Sequence, residues 1–113
     1  MALKFSTGLW AFASAPDRYC NDGYRETPKL QEALAAASKI KLIKGVEVRQ
    51  SDVTADMPVK ELKRLLKEYG LACSGVAANL SHARRFALAA FGHQHTKTRN
   101  AAIAEARKAV HIV

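Results

Sequence analysis

The residues with the most chemical promise close three short apolar segments. Trp10 and Phe12 end FSTGLWAF (residues 5–12), Glu47 and Arg49 lie within GVEVRQSD (45–52), and Asn79 falls near the end of LACSGVAANL (71–80). An aromatic wall with a few polar groups suits a polyhydroxylated ligand: ring faces pack on C–H surfaces, and polar side chains pair with hydroxyls. Side chains alternate along a strand, so Ser6, Gly8, Trp10 and Phe12 are expected on one face. The same alternation sets Glu47 and Arg49 opposite Val46 and Val48. If the valines meet helices, both charges point to the inner face, where an ion pair across neighbouring strands would satisfy them. Spacing leaves a second reading open, in which the aromatics are plain core and the charges a structural salt bridge.

Other chemistry finds little footing. The chain has no GxGxxG, no GxxxxGK[ST], no HExxH and no nucleophile elbow. Gly8 and Gly75 fall within strands, where glycine more often permits close packing than binds phosphate. His93 and His95 could bind a metal with His82, but residues two apart converge only on a strand or turn, and no carboxylate is near in sequence; a solvated basic loop is the simpler reading. Cys20 and Cys73 share no metal-type spacing and have no base in sequence reach. They read as inert thiols in a reducing, cytoplasmic compartment.

The elements that must position these residues alternate in type. The apolar run 5–12 predicts a buried strand, followed by a polar loop over 14–23. Thr27-Pro28 opens a helix striped by Leu30, Ala33, Leu34, Ala37 and Ile40. A second strand starts at Gly45. Asp56 and Pro58 announce a helix striped by Val59, Leu62, Leu65, Leu66 and Tyr69, with Gly70 as its stop. A third strand covers 71–80. After a long basic loop, Thr98 or Thr96 caps a last helix striped by Ala102, Ile103, Ala106, Val110 and Val113. This alternation is the βαβ signature, and it predicts an α/β fold with parallel strands and right-handed crossovers.

The chain has 113 residues, with 49% hydrophobic and 25% charged, which excludes a disordered tail, a collagen or a coiled coil. It is also too short for a complete eight-unit barrel, which needs about 250 residues. The last helix ends on Val110-His111-Ile112-Val113 without a cap or polar tail, an expectation of truncation or of burial against another chain. Formal net charge is +8, and no acid occurs between Glu68 and Glu105, a stretch holding Arg84, Arg85, Lys97 and Arg99. Such a field attracts phosphate, although a solvated loop explains it more simply. No apolar run reaches the ~20 residues of a membrane span, so no membrane partner is expected. Lys4, Leu9 to Ala13 and Ala13-Ser14-Ala15 imitate a secretory signal, but Ser6, Thr7 and Gly8 interrupt its apolar core.

Five segments resemble, in order, the start of the xylose isomerase-like TIM barrel superfamily: FSTGLWAF, DRYCNDGYRE, GVEVRQSD, VAANL and GHQHTKTRNAAIAEARKAV. The resemblance covers nearly the whole chain. It implies that residues 1–113 are the N-terminal part of a partial (β/α) barrel: three consecutive βα units, ending inside the third helix. It also implies a parent that is a metal-dependent sugar or sugar-phosphate isomerase or epimerase. In that family a divalent metal (Mn, Mg, Co or Zn) is held by residues from later strands, so this chain is expected to carry neither metal ligands nor catalytic groups. Trp10 matches the tryptophan of the GLW motif that walls the sugar pocket, and Asn79-Leu80 matches the NL pair after the third strand. Arg49-Gln50 stands where true xylose isomerases place a His-Asp-type pair, which turns the expectation toward a related isomerase or epimerase. The expected substrate-binding set is Trp10, Phe12, Glu47, Arg49 and Asn79, with Glu47 holding Arg49. Two alternatives stay open: a non-catalytic partial barrel that self-assembles into an oligomer, and a basic nucleic-acid-binding module, the less expected of the two.

Overall fold

A computed structural model describes residues 3–15, 19–20, 22–80 and 84–112. Three parallel strands, β1 (Phe5–Gly8), β2 (Ile43–Arg49) and β3 (Ala72–Ala77), form one sheet in the order β1-β2-β3. Between them lie helices α1 (Leu30–Ser38) and α2 (Val59–Glu68), and α3 (Thr96–Val110) follows the last strand. The expected alternation and parallel sense hold. The sheet is open.

Position in the chain decides which face is covered. Val46 and Val48 are fully buried and meet Leu34 and Ala37 of α1, Leu62, Leu65 and Leu66 of α2, and Ile112 in one core cluster. Side chains of the opposite parity stay on the other face. There Gly8 pairs in register with Glu47, and Glu47 pairs with Gly75. A Cβ built on Gly45 would touch Ser6 and Ser74, and one on Gly75 would touch Glu47, so this face is made of small residues around one carboxylate. The helices therefore cover the valine face and leave the Glu47 face open.

Boundaries differ from the expected ones for identifiable reasons. The first strand stops at Gly8, and residues Leu9–Phe12 turn into a 3-10 helix. Arg25 fixes that turn by donating from Nε to the Ala13 carbonyl (2.7 Å) and from Nη2 to the Ala11 carbonyl (2.8 Å). Helix α1 starts at Leu30 because the Glu32 carboxylate accepts the Lys29 N–H (2.9 Å), so Thr27 and Pro28 lie before the helix. Likewise Asp52 accepts the Arg49 N–H (2.7 Å) and winds residues Gln50–Asp52 into a 3-10 turn where a strand was expected. Gly70 stops α2 as expected: at φ +67° it lets the Leu71 N–H reach the Leu66 carbonyl (2.9 Å) and its own N–H reach that of Lys67 (3.1 Å).

The expected stripe of α3 is corrected. Ala102 and Ala109 are its buried residues, while Ile103 and Val110 are 42% and 69% exposed; Val113 lies outside the described residues. Ala102, Glu105 and Ala109 share the inward face at helical spacing, and the polar anchoring of Glu105 overrides the weak apolar periodicity. The helix is also capped one residue earlier than expected, at His95.

Candidate functional site

In an open parallel sheet the loops after the strands gather at one end, where α/β proteins bind ligands. Here that end is built by two 3-10 turns. Leu9 drives into the core, and the turn throws the next side chain, Trp10, back across the sheet. The indole lies where a side chain at Gly8 would stand: a Cβ there would fall 2.1 Å from Trp10 Cε2. Only glycine permits that overlap. Arg49, at the end of β2, sets its guanidinium carbon 5.8 Å from the centre of the Trp10 ring, an arrangement worth about 0.5–1 kcal/mol when exposed. Glu47, on the same face of β2 as Arg49, stands between Gly8 and Gly75.

Trp10, Arg49 and Glu47 are thus one cluster on the open face. The indole offers a flat apolar plate, the guanidinium donates hydrogen bonds, and the carboxylate accepts them. The expected ion pair of Glu47 or Arg49 is not formed among the described residues. The physical reason is the uncovered face: both side chains are half-buried and reach solvent, so neither needs a counter-charge. Behind the cluster a cleft of about 90 Å³ is lined by Trp10, Thr27, Pro28, Leu30, Arg49 and Asp52, among others.

Two expected members sit elsewhere. Phe12 does not share a strand face with Trp10, because the 3-10 turn breaks the alternation; it packs against the core beneath. Asn79 lies on a separate cleft of about 380 Å³ with Gln50, Ser51, Lys108 and His111. Its backbone N–H donates to Gln50 Oε1 (3.1 Å). Arg49 and Gln50 are adjacent, so β2 serves both clefts from one strand end.

Gln50 is the residue sequence reasoning missed. Its Nε2 donates to Glu105 Oε2 (3.0 Å), while Glu105 Oε1 accepts from Arg85 (2.7 Å) and Lys108 (3.0 Å). This clasp ties the ends of β2 and β3 to α3 and to the basic loop. It also supplies part of the acidic complement that the basic stretch lacked in sequence. Lys108, then Gln50 and Arg85, hold the Glu105 carboxyl below the usual carboxylate range. A depressed pKa stabilises the fold above the unfolded carboxyl's value, and that contribution is lost as pH falls through the depressed one. The thermal midpoint of the wild type should therefore exceed that of Glu105→Gln near neutrality, and the gap should close in acid. Parallel midpoint curves down to about pH 3 would contradict the clasp.

Among the described residues His93 and His95 have no third His, Cys, Asp or Glu converging with them. The rings of His93 and His95 lie 5.2 Å apart, and His93 Nδ1 accepts the His95 N–H (3.0 Å); His82 lies outside the described residues. Among the described residues no three of His, Cys, Asp and Glu converge on one point.

A family described as "Domain of unknown function (DUF7722)" matches residues 54–94, less than half of the chain, spanning α2, β3 and the basic loop but neither Trp10 nor Arg49. No curated protein matches the chain. No helix among the described residues is long and apolar enough to cross a membrane.

Proposed function

We propose that this chain is the first part of a sugar or sugar-phosphate isomerase or epimerase of the xylose isomerase-like barrel superfamily, and that it supplies one wall of the sugar pocket. The observation that carries the reading is the Trp10–Arg49–Glu47 cluster at the strand ends. A sugar ring presents a C–H face and a rim of hydroxyls; the indole packs on the first, and Arg49 and Glu47 pair with the second. The ordered resemblance of the five sequence segments adds to it. At about 90 Å³ the cleft is smaller than the roughly 300 Å³ at which ligand pockets begin, as a wall rather than a whole pocket should be. Proton or hydride transfer and the metal belong to residues this chain does not supply. Its own residues orient the sugar and shield one side from water.

Trp10 is the sole tryptophan, so its emission reports on the cluster directly. Titration with D-xylose and with D-fructose 6-phosphate should change that emission saturably at about millimolar ligand. Arg49→Ala and Glu47→Gln should each weaken the response. Emission that stays flat with both sugars would remove the sugar reading.

A second reading is favoured by the uncovered sheet face, since parallel sheets usually have both faces covered. In it the chain is a non-catalytic partial barrel that closes against a copy of itself. Sedimentation would then show a concentration-dependent oligomer in which Glu47 and Arg49 are protected.

A further inference from the structure

The turns after α1 and α2 gather at the opposite end of the sheet from the candidate site, and their charge is one-sided. Lys39 and Lys41 lie in the turn between α1 and β2, Lys44 at the start of β2, Lys63 and Lys67 on the last turns of α2, and Lys4 just before β1. Lys44, Lys63 and Lys67 line one groove of about 450 Å³ floored by Leu66 and Leu71. None of these six lysines has a carboxylate partner among the described residues. The acid at this end, Glu68, is held by Arg64 (2.8 Å). Between the lysines, large apolar side chains stand in solvent: Leu42 is 68% exposed, Leu3 84%, and Ile40 and Phe5 about half.

We propose that this end of the protein docks on anionic lipid headgroups, with the lysines pairing phosphates and Ile40 and Leu42 dipping beneath them. A purely electrostatic surface has no use for exposed aliphatic side chains at the tip of its basic turn, whereas an interfacial contact buries them at the headgroup boundary. Nucleic acid is fitted less well. Apart from Arg64, whose guanidinium is taken up by Glu61 and Glu68, the cations here are lysines, and the exposed Phe5 ring beside them is not the row of stacked rings that nucleic-acid grooves use. The expectation of no membrane partner rested on the absence of a span, and a surface contact needs none. Docked this way, the Trp10 end faces away from the lipid. The proposal is independent of the sugar reading.

The test is co-sedimentation of the intact chain with phosphatidylcholine vesicles, with and without about 30% phosphatidylserine. Binding should require phosphatidylserine and weaken with salt. Lys39→Gln/Lys41→Gln/Lys44→Gln should lower partitioning on the order of a hundredfold. Arg84→Gln/Lys97→Gln/Arg107→Gln, which removes the same charge elsewhere, should keep most of it. Ile40→Ser/Leu42→Ser, both at exposed positions that leave the fold intact by circular dichroism, should weaken partitioning as well. Absence of phosphatidylserine-dependent binding would overturn the proposal, as would equal losses in the two triple variants or an unchanged serine variant. Tighter binding to a single-stranded RNA oligonucleotide than to vesicles, lost in the Lys39→Gln/Lys41→Gln/Lys44→Gln variant, would assign the surface to nucleic acid and overturn it too.

Discussion

Replacing Gly8 by Ala should disable the candidate site while leaving most of the fold standing. The new methyl group would fall within 2.1–2.7 Å of three indole atoms of Trp10. The methyl cannot move, because it is fixed to β1, which pairs with β2. The indole must therefore swing off the sheet, and Arg49 loses its stacking partner. Lost packing of this kind costs roughly 1–3 kcal/mol. Trp10 emission should shift to the red, and the sugar response should weaken at least about tenfold, the equivalent of 1.4 kcal/mol. Gly75→Ala is the matched control on the same face. Its methyl would lie 3.3 Å from Glu47 Cγ, and a flexible side chain accommodates that with a small shift. Gly75→Ala should therefore keep the emission and most of the response. Equal behaviour of the two variants would mean that the indole does not lie over Gly8.

Leu34→Ala should produce the largest loss of stability. Leu34 is fully buried and belongs to the core cluster that joins α1 to Val46, Val48, Leu62, Leu65 and Ile112. Truncation of a buried leucine removes its transfer free energy and leaves a cavity, at a cost of about 3 kcal/mol. This fold has little to spare. Its sheet is covered on one face, and domains of ordinary size hold only about 5–15 kcal/mol in total. Urea unfolding followed by circular dichroism should show the midpoint falling sharply with an unchanged slope. Leu42→Ala, at a position 68% exposed, should leave the midpoint almost where it was. A small effect at Leu34 would mean that the helices are not seated on Val46 and Val48 as described.

The sequence made the strand–helix order legible because apolar runs, turn formers and helix stripes each carry local periodicity. Val46 and Val48 turned inward, and Gly70 ended α2, for reasons readable within a few residues. What was hidden depended on contacts distant in sequence. The 3-10 turn at residues Leu9–Phe12 is held by Arg25, more than ten positions away, and it separated Phe12 from Trp10. The Gln50–Glu105 bond spans 55 positions, and no local pattern announces it. That bond sets which side of α3 faces inward, which is why the expected stripe through Ile103 and Val110 failed. An ion pair across neighbouring strands is expected of Glu47 and Arg49 from burial of the inner face, and the open sheet removes its cause.

The candidate site and the lysine-rich surface occupy opposite ends of the same strands, so substitutions at one should leave the other intact. Arg49→Ala should not alter vesicle binding, and the Lys39, Lys41 and Lys44 substitutions should not alter the response of Trp10 to sugar. Loss of both activities in either variant would point to unfolding rather than to a site.

The most direct test of the sugar-wall reading is a nitrogen-15 chemical-shift map of the chain with D-xylose and D-fructose 6-phosphate added to saturation. Shifts are expected at the Trp10 indole N–H, the Arg49 Nε–H and the backbone amides of Gly8, Glu47 and Gly75, with the lysine-rich turn silent. Shifts confined to the basic loop and α3, or none at all, would contradict it.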